Sequence, residues 1–253
     1  MGERFRDKVV LVTGSAGGLG RGFALGFGRE GAHLVLADVN VPGLEETAAL
    51  LREHGATSSI HQVDLAVESE IKAFAADVQG AHLQLDVLVN NAGLAYGEIS
   101  TGFDGLGQAK WLHFLAVNMV APLLLAEALR DQLAIGPGAI VNISSMASYM
   151  PGTAYGITKS ALNAMSFGMA HSFGKQAIRV NSIAPGLMET PASKLGVAPE
   201  NWARLQSMQM LARAGGPDDI VNLGLFLASD DARFITNEII HCDAGHPLRG
   251  YRA

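Results

Sequence analysis

Short, nearly uninterrupted apolar runs recur along the chain at the length of a β-strand. They lie at 9–13, 34–37, 60–63, 87–89, 139–143, 180–183 and 238–242. Segments of helical length separate most of them and begin near residues 18, 42, 67, 108, 153 and 217. Strands without polar alternation are typical of a parallel sheet that helices cover on both faces. With right-handed crossovers, the pattern predicts an α/β fold, a doubly wound parallel sheet of about seven strands.

No linker, repeat or low-complexity stretch divides the chain, so we predict a single domain over residues 1–253. The most irregular stretch, 185–201, contains three prolines and two glycines. A segment this long and this rich in helix breakers is either a mobile substrate lid, placed around 186–212, or an ordinary surface loop.

Composition and charge narrow the class of partner. The net charge is -6 and there is no run of Lys and Arg, which argues against nucleic acid or an anionic membrane surface and favours a small-molecule substrate. Cys242 is the single cysteine, so no intrachain disulfide forms and we expect a cytoplasmic protein. The longest uncharged stretch, 111–126, includes Asn118 and Pro122 and is short for a membrane span.

A glycine-rich turn at 13–20 follows the first strand and opens a helix. In this context, backbone N–H groups and the helix dipole face a pyrophosphate, although a tight strand-to-helix turn is the plainer explanation. The cofactor contacts predicted here are Gly14, Gly18, Leu19 and Gly20.

The second strand ends at Asp38, where a carboxylate bonds ribose hydroxyls and repels a 2'-phosphate. No basic residue lies beside it in the sequence, so we predict NAD rather than NADP. Asp64 and Leu65, which end the third strand, are expected near the adenine, with a helix N-cap as the alternative role for Asp64.

Tyr155 and Lys159 are four residues apart, which places a phenol and an ammonium on one helix face. A neighbouring cation favours the phenolate and moves the phenol pKa towards the range of proton exchange with an alcohol or a carbonyl. Such pairs are also common on solvated helix faces, so the spacing alone does not decide.

Six segments in this order resemble the motifs of the short-chain dehydrogenase/reductase family, whose compact members are mostly one Rossmann-like domain. They are the turn at 13–20, the Asn-Asn-Ala-Gly segment at 90–93, Asn118, the Asn-Ile-Ser-Ser segment at 142–145, Tyr155 with Lys159, and Arg179 to Asn181 with Pro185, Gly186 and Thr190. The resemblance covers nearly the whole chain.

The resemblance implies a role for each residue. Tyr155 exchanges a proton with the substrate oxygen, Lys159 lowers its pKa and binds the nicotinamide ribose, and Asn118 holds a water of a proton relay. Ser145 polarises the carbonyl, with Ser144 as the alternative. The remaining implied cofactor contacts are Asn91, Gly93, Pro185, Gly186, Met188 and Thr190. The family also implies a homo-oligomer, with a tetramer favoured over a dimer, and the eight histidines lack metal-ligand spacing, so no metal is expected.

These patterns lead to a predicted activity, an NAD-dependent alcohol dehydrogenase or ketone reductase. The segments expected to line the cleft, 94–96, 146–150, 187–188 and 202–211, are mostly apolar and rich in methionine. We therefore expect a neutral, largely apolar secondary alcohol or ketone. Two alternatives remain: carbon-carbon double bond reduction or a non-redox step on the same fold, and a nucleotide-sensing scaffold without turnover.

Overall fold

The fold is built on one seven-stranded sheet, seen in a computed structural model that describes residues 3–149 and 151–247. The strand order is β3-β2-β1-β4-β5-β6-β7, and every neighbouring pair is parallel. The strands are β1 Val9–Thr13, β2 His33–Asp38, β3 Ser58–Gln62, β4 Val87–Asn90, β5 Ala139–Ile143, β6 Arg179–Pro185 and β7 Ile239–Cys242. The predicted doubly wound sheet is confirmed. Its order reverses between β1 and β4, which opens a crevice at their carboxyl ends.

Helices cover both faces of the sheet. They are α1 Gly18–Arg29, α2 Val41–Glu53, α3 Glu68–Ala81, α4 Glu98–Thr101, α5 Gly107–Leu115, α6 Ala121–Ala128, α7 Arg130–Leu133, α8 Ala154–Phe173, α9 Pro191–Gly196, α10 Pro199–Ser207 and α11 Pro217–Ala228. A π-helical segment, Ala116–Val120, joins α5 to α6, and 3-10 turns lie at Met146–Tyr149, Gly174–Gln176 and Asp230–Ala232.

The central strands β1, β2, β4 and β5 have no polar alternation because both faces of each are buried, whereas Ile60 of the edge strand β3 is 41% exposed. In β1, Val10 and Val12 belong to the core under α1, α2 and α11, whereas Leu11 belongs to the core under α3, α6 and α8. Burying each such side chain contributes about 1.5–3 kcal/mol. The two cores clamp the sheet and fix the positions of its carboxyl ends, where the predicted site residues lie.

The irregular stretch after β6 is more helical than its prolines suggest. Pro191 and Pro199 stand in the first turns of α9 and α10, a position where the missing N–H costs no hydrogen bond. The sequence pattern predicts helix breakers at these prolines, but in the structure they lie at the start of helices. The lid itself stays a prediction, and the proposed cleft residue Met150 lies outside the described residues.

Apolar helices supply core as well as surface. Residues 107–128 are long and apolar enough to cross a bilayer by length and composition, with a mean hydropathy of 1.5, yet Asn118 and Leu125 within them are fully buried in the fold. Leu125 and Met169 pack in the core, whereas Leu112 and Phe167 are exposed. The oligomeric state stays a prediction.

Candidate active site

The glycine turn after β1 lies against the loop that follows β4. Gly14 has a φ of +67°, and a Cβ there would lie 2.8 Å from the Cα of Ala92. A Cβ at Gly20 would overlap the carbonyl oxygen of Gly14. These two positions therefore need glycine, because a side chain would push the turn away from the loop.

Asn91 holds this turn in place. Its Nδ2 donates to the carbonyl oxygens of Thr13 at 3.0 Å and Gly14 at 3.2 Å. In return, the Thr13 hydroxyl accepts the backbone N–H groups of Asn91 and Ala92. Asn91, predicted as a cofactor contact, is here the support of the surface on which a cofactor would lie. Thr13 was missed, although its place between the strand and the first glycine was a usable signal.

The start of α1 fits a pyrophosphate. Gly17 is its N-cap, and within residues 3–149 no side chain bonds to the N–H groups of the first turn at this cap. Gly18 has a φ of +53° and nothing within 4 Å of where its Cβ would stand. Free N–H groups at a helix start and an open glycine surface are what a dinucleotide phosphate requires.

Asp38 closes the ribose side of the turn. Its carboxylate accepts the N–H of Ala16 at 3.1 Å and that of Asn40 at 3.0 Å. Sequence reasoning found no cation here, but the fold brings Arg21 to the turn. Arg21 donates to the Ala16 carbonyl at 2.6 Å and to the Thr47 hydroxyl at 3.0 Å, and its guanidinium pairs with Glu46 at 2.7 Å. Its charge is therefore already engaged.

Asp64 is not a helix cap. Its carboxylate accepts the N–H of Ala66 at 2.8 Å in a local turn, and the N-cap of α3 is Val67. The N-cap alternative is wrong because the chain makes one further turn before α3 begins. Leu65 is partly buried against the core under α3.

Asn118 lies in the π-helical segment and is fully buried. Its Oδ1 accepts the N–H of Leu94 at 2.7 Å, and its Nδ2 donates to the Leu94 carbonyl and the Thr158 hydroxyl, each at 2.9 Å. Local π-helical geometry often marks functional sites. The side chain thus fixes the loop after β4, and both of its amide hydrogens are used in doing so.

Tyr155 and Lys159 lie on α8 facing this loop. Burial raises the pKa of Tyr155 to about 12, opposed by a hydrogen bond with Ser145, and burial lowers the pKa of Lys159 to about 8. Lys159 Nζ donates to the Ile143 carbonyl at 2.7 Å and is 5.8 Å from the centre of the Tyr155 ring. In the chain alone, the phenol pKa therefore moves opposite to the expected direction, since desolvation outweighs the hydrogen bond with Ser145.

Gly93 borders the same group of residues. A Cβ at Gly93 would lie 3.2 Å from Asn118 Oδ1 and 3.3 Å from Lys159 Nζ. The glycine of the Asn-Asn-Ala-Gly segment therefore leaves room beside the lysine.

The two serines after β5 differ in their surroundings. Ser145 is half-buried, hydrogen-bonds the Tyr155 phenol, and its Oγ accepts the N–H of Ala147 at 3.2 Å. Ser144 is 2% exposed, and its hydroxyl has no hydrogen-bond partner among the described residues. The geometry favours Ser145 as the serine of the site.

The segment after β6 is tied down at several points. Pro185 ends β6, the N–H of Gly186 donates to the Cys242 carbonyl at 2.9 Å, and Met188 pairs with Gly215. Thr190 caps α9 in a reciprocal capping box with Ser193. These residues form one wall at the carboxyl edge of the sheet.

A cavity of about 210 Å³ lies behind this wall. Met188, Leu211, Arg213, Asp219 and Cys242 contribute to its lining, with neighbouring residues of the 241–245 turn. Leu211 was expected to line the substrate cleft, but it lines this cavity and is largely exposed, as is Met210. No His, Cys, Asp and Glu cluster suited to a metal ion occurs in the described part of the chain.

Exchanging the serines separately tests their assignment. We expect Ser145→Ala to lower kcat/KM about 100-fold, because the hydroxyl beside the phenol no longer polarises the substrate oxygen. The matched control is Ser144→Ala. Its kcat/KM should stay within a few-fold of the parent value, since the hydroxyl that it removes has no hydrogen-bond partner among the described residues. Steady-state kinetics of both variants decide, and the reverse order would reassign the role to Ser144.

Comparisons with known proteins agree with this geometry. Residues 14–246 match a family model described as enoyl-(acyl carrier protein) reductase. The chain is 35% identical to a 2,5-dichloro-2,5-cyclohexadiene-1,4-diol dehydrogenase of Sphingobium indicum, over 97% of this chain and 98% of that protein. It is 31% identical to a cis-4-hydroxycyclohexanecarboxylate dehydrogenase of Sinomonas cyclohexanicum, over 97% and 99%.

Solved structures show the same likeness. A 7α-hydroxysteroid dehydrogenase, solved with NADH and 7-oxoglycochenodeoxycholic acid, superposes with a TM-score of 0.89 at 28% identity, covering 96% of this chain and 95% of that one. The motifs, the sheet order, the site and these likenesses agree throughout the chain. The protein belongs to the short-chain dehydrogenase/reductase family and is an oxidoreductase that uses a nicotinamide cofactor.

Proposed function

We propose that the protein is an NAD-dependent dehydrogenase that transfers hydride between nicotinamide and a neutral, largely apolar secondary alcohol or ketone. The observation that carries this proposal is the half-buried Tyr155 phenol, with the Ser145 hydroxyl and Lys159 beside it. This set delivers one proton and one hydrogen bond to a single substrate oxygen, which is what interconversion of an alcohol and a carbonyl needs.

The residues divide the work. A nicotinamide dinucleotide held at this site would supply or accept the hydride. The open glycine turn and the start of α1 hold its phosphates, and Asp38 receives its ribose hydroxyls. Tyr155 gives a proton to the substrate oxygen or takes it away, and Ser145 polarises that oxygen. Lys159 exchanges protons with the phenol, and its pKa of about 8 suits proton transfer near neutral pH.

Asn118 acts through position. Its contacts with both backbone groups of Leu94 hold the loop that borders Lys159 and the substrate. The family resemblance implies a proton relay through a water held by Asn118. We include this relay in the proposal, with its protons passing along this loop.

The substrate class rests on the cleft and on the relatives. Leu187 and Met188 are buried, and Leu94 and Met146 are half-buried, so the wall around the site is mainly apolar. Two similar proteins are named for hydroxyl groups on six-membered carbon rings, and a third for a steroid alcohol. The relatives therefore support a secondary alcohol on an alicyclic ring. The apolar wall is the ground on which we place a neutral one ahead of a polyol or a hydroxy acid, because the names of the second and third relatives also include an acid group.

The description of the matching family model also keeps double-bond reduction as a second candidate. Ser145 favours interconversion of an alcohol and a ketone, because its hydroxyl lies beside the Tyr155 phenol, which we assign to the substrate oxygen. A panel separates them: cyclohexanol, 1-phenylethanol, a polyol and a hydroxy acid with NAD, and cyclohexanone and cyclohexenone with NADH. We expect the first two alcohols to have the highest kcat/KM. Saturation of the cyclohexenone double bond, with no alcohol turned over, would support the second candidate.

Tyr155→Phe should lower turnover about 1000-fold while NADH binding stays near that of the parent, because the phenol serves the substrate oxygen and not the cofactor. Absorbance of NADH over time gives the turnover rate of the variant, and titration of NADH fluorescence gives its affinity for NADH. Activity above a few per cent of the parent would contradict the assignment of the phenol as proton donor.

Cofactor preference should follow Asp38. In Asp38→Ser with Val39→Arg, the carboxylate that repels the 2'-phosphate is lost. An arginine that can donate hydrogen bonds to this phosphate is added at position 39, where the Val39 side chain is 58% exposed. We expect the NADP to NAD ratio of kcat/KM to rise at least about tenfold. Val39→Arg alone is the control and should rise less, since the carboxylate remains. An unchanged ratio in the double variant would remove Asp38 as the selector.

The pH profiles of the two directions should be opposite. Since burial holds the pKa of Tyr155 at about 12 and lowers that of Lys159 to about 8, the pair loses its first proton near pH 8. Oxidation needs a pair that accepts a proton, so its kcat/KM should rise with pH through about 8, and that of ketone reduction should fall. Profiles from pH 6 to 10 test this, and a level oxidation profile would contradict it.

A further inference from the structure

Tyr96 connects the two sides of the substrate entrance. It lies on the loop between β4 and α4, and its phenol lies beside the hydroxyls of Thr190 and Ser193 at the start of α9. At the other end of the same helix, a Cβ on Gly196 would overlap the Tyr96 ring. One side chain thus contacts both ends of α9.

The groups that receive the phenol are buried and ordered by their own bonds. Thr190 and Ser193 are 7% and 4% exposed, and the Ser193 hydroxyl donates to the Met188 carbonyl at 2.6 Å. Thr190 Oγ1 accepts the N–H of Ser193 at 3.1 Å. The phenol therefore joins a hydroxyl cluster that sets the path of the backbone from Met188 to Thr190.

The loop that carries Tyr96 is fixed at its other end by the site itself. Asn118 bonds both backbone groups of Leu94, two residues before Tyr96. The Tyr96 phenol also lies close enough to the Tyr155 phenol for the two to interact electrostatically. A continuous set of contacts thus runs from Asn118 through Leu94 and Tyr96 to α9.

We propose that Tyr96 is a positioning residue that locks α9 onto the loop after β4 and so holds Met188 and Thr190 in place beside the nicotinamide and the substrate. Helix α9 has six residues and is too short to be stable by its own hydrogen bonds. It needs a tertiary contact, and Tyr96 supplies one at each end of it. The inference rests on the proposed function for the identity of the ligands, but the contact itself does not depend on them.

Two single substitutions break the lock in different ways. Tyr96→Phe removes the hydroxyl and keeps the ring, whereas Gly196→Ala keeps the hydroxyl and displaces the ring. Gly80→Ala in α3 is the matched control, because nothing lies within 4 Å of its Cβ position. Both lock variants should raise the NADH Kd and the KM of the alcohol about three- to tenfold, with kcat changed less. The control should leave all three values unchanged.

The exposure of the segment at 186–212 can also be measured without cofactor or substrate, by tryptophan fluorescence. The chain has two tryptophans, and Trp202 lies on α10, directly after α9. In a Trp111→Phe background, Trp202 is the only tryptophan, so its quenching by acrylamide reports the exposure of this segment. We expect stronger quenching in Tyr96→Phe and in Gly196→Ala, with melting temperatures near that of the parent. The double variant should resemble either single one, because both substitutions release the same side chain from α9.

The outcomes separate this inference from the proposed function. Unchanged quenching, NADH affinity and KM in Tyr96→Phe would overturn the role of Tyr96, whatever the substrate proves to be. If the variants increase quenching while no alcohol in the panel is turned over by the parent, the lock stands and the proposed substrate class fails. If Tyr96→Phe lowers the free energy of unfolding by as much as it lowers the free energy of NADH binding, Tyr96 is a purely structural residue. That result would also overturn the proposal.

Discussion

The site depends on how the loop after β4 is anchored to its neighbours. On one side, Asn91 and Thr13 fasten it to the glycine turn, and on the other, Asn118 fastens Leu94. These partly buried hydrogen bonds join the part of the sheet edge that fits the dinucleotide phosphates to the part that faces Tyr155. Unpaired polar groups in this position would cost about 1–3 kcal/mol each, so the bonds also specify one arrangement of the crevice.

Burial controls the pKa values of the proposed catalytic pair, Tyr155 and Lys159. Lys159 is 4% exposed and bonds a backbone carbonyl, and desolvation brings its pKa down towards neutral pH while it raises that of Tyr155. The apparent proton affinity therefore belongs to the pair and not to either residue. A cation near a phenol does not guarantee a more acidic phenol, because loss of water around both groups opposes the Coulomb attraction.

The wall after β6 shows how a chain rich in proline and glycine still becomes ordered. Pro191 and Pro199 begin helices, a capping box closes the first turn of α9, and hydrogen bonds to Cys242 and Gly215 tie the preceding segment to the sheet edge. The wall combines side chains from separate parts of the chain, since the Tyr96 ring from the loop after β4 lies against Gly196 of α9.

The sequence by itself determined the strands, the sheet class, the glycine turn and the shared face of Tyr155 and Lys159, because each depends on a local period or spacing. It also placed Asp38 at a strand end. Only the tertiary structure paired Arg21 with Glu46 and Thr47, turned the Asp64 carboxylate to Ala66, distinguished Ser145 from Ser144 by their surroundings and set the direction of the Tyr155 pKa. These features depend on burial and on contacts between distant segments, which leave no periodic pattern in the sequence.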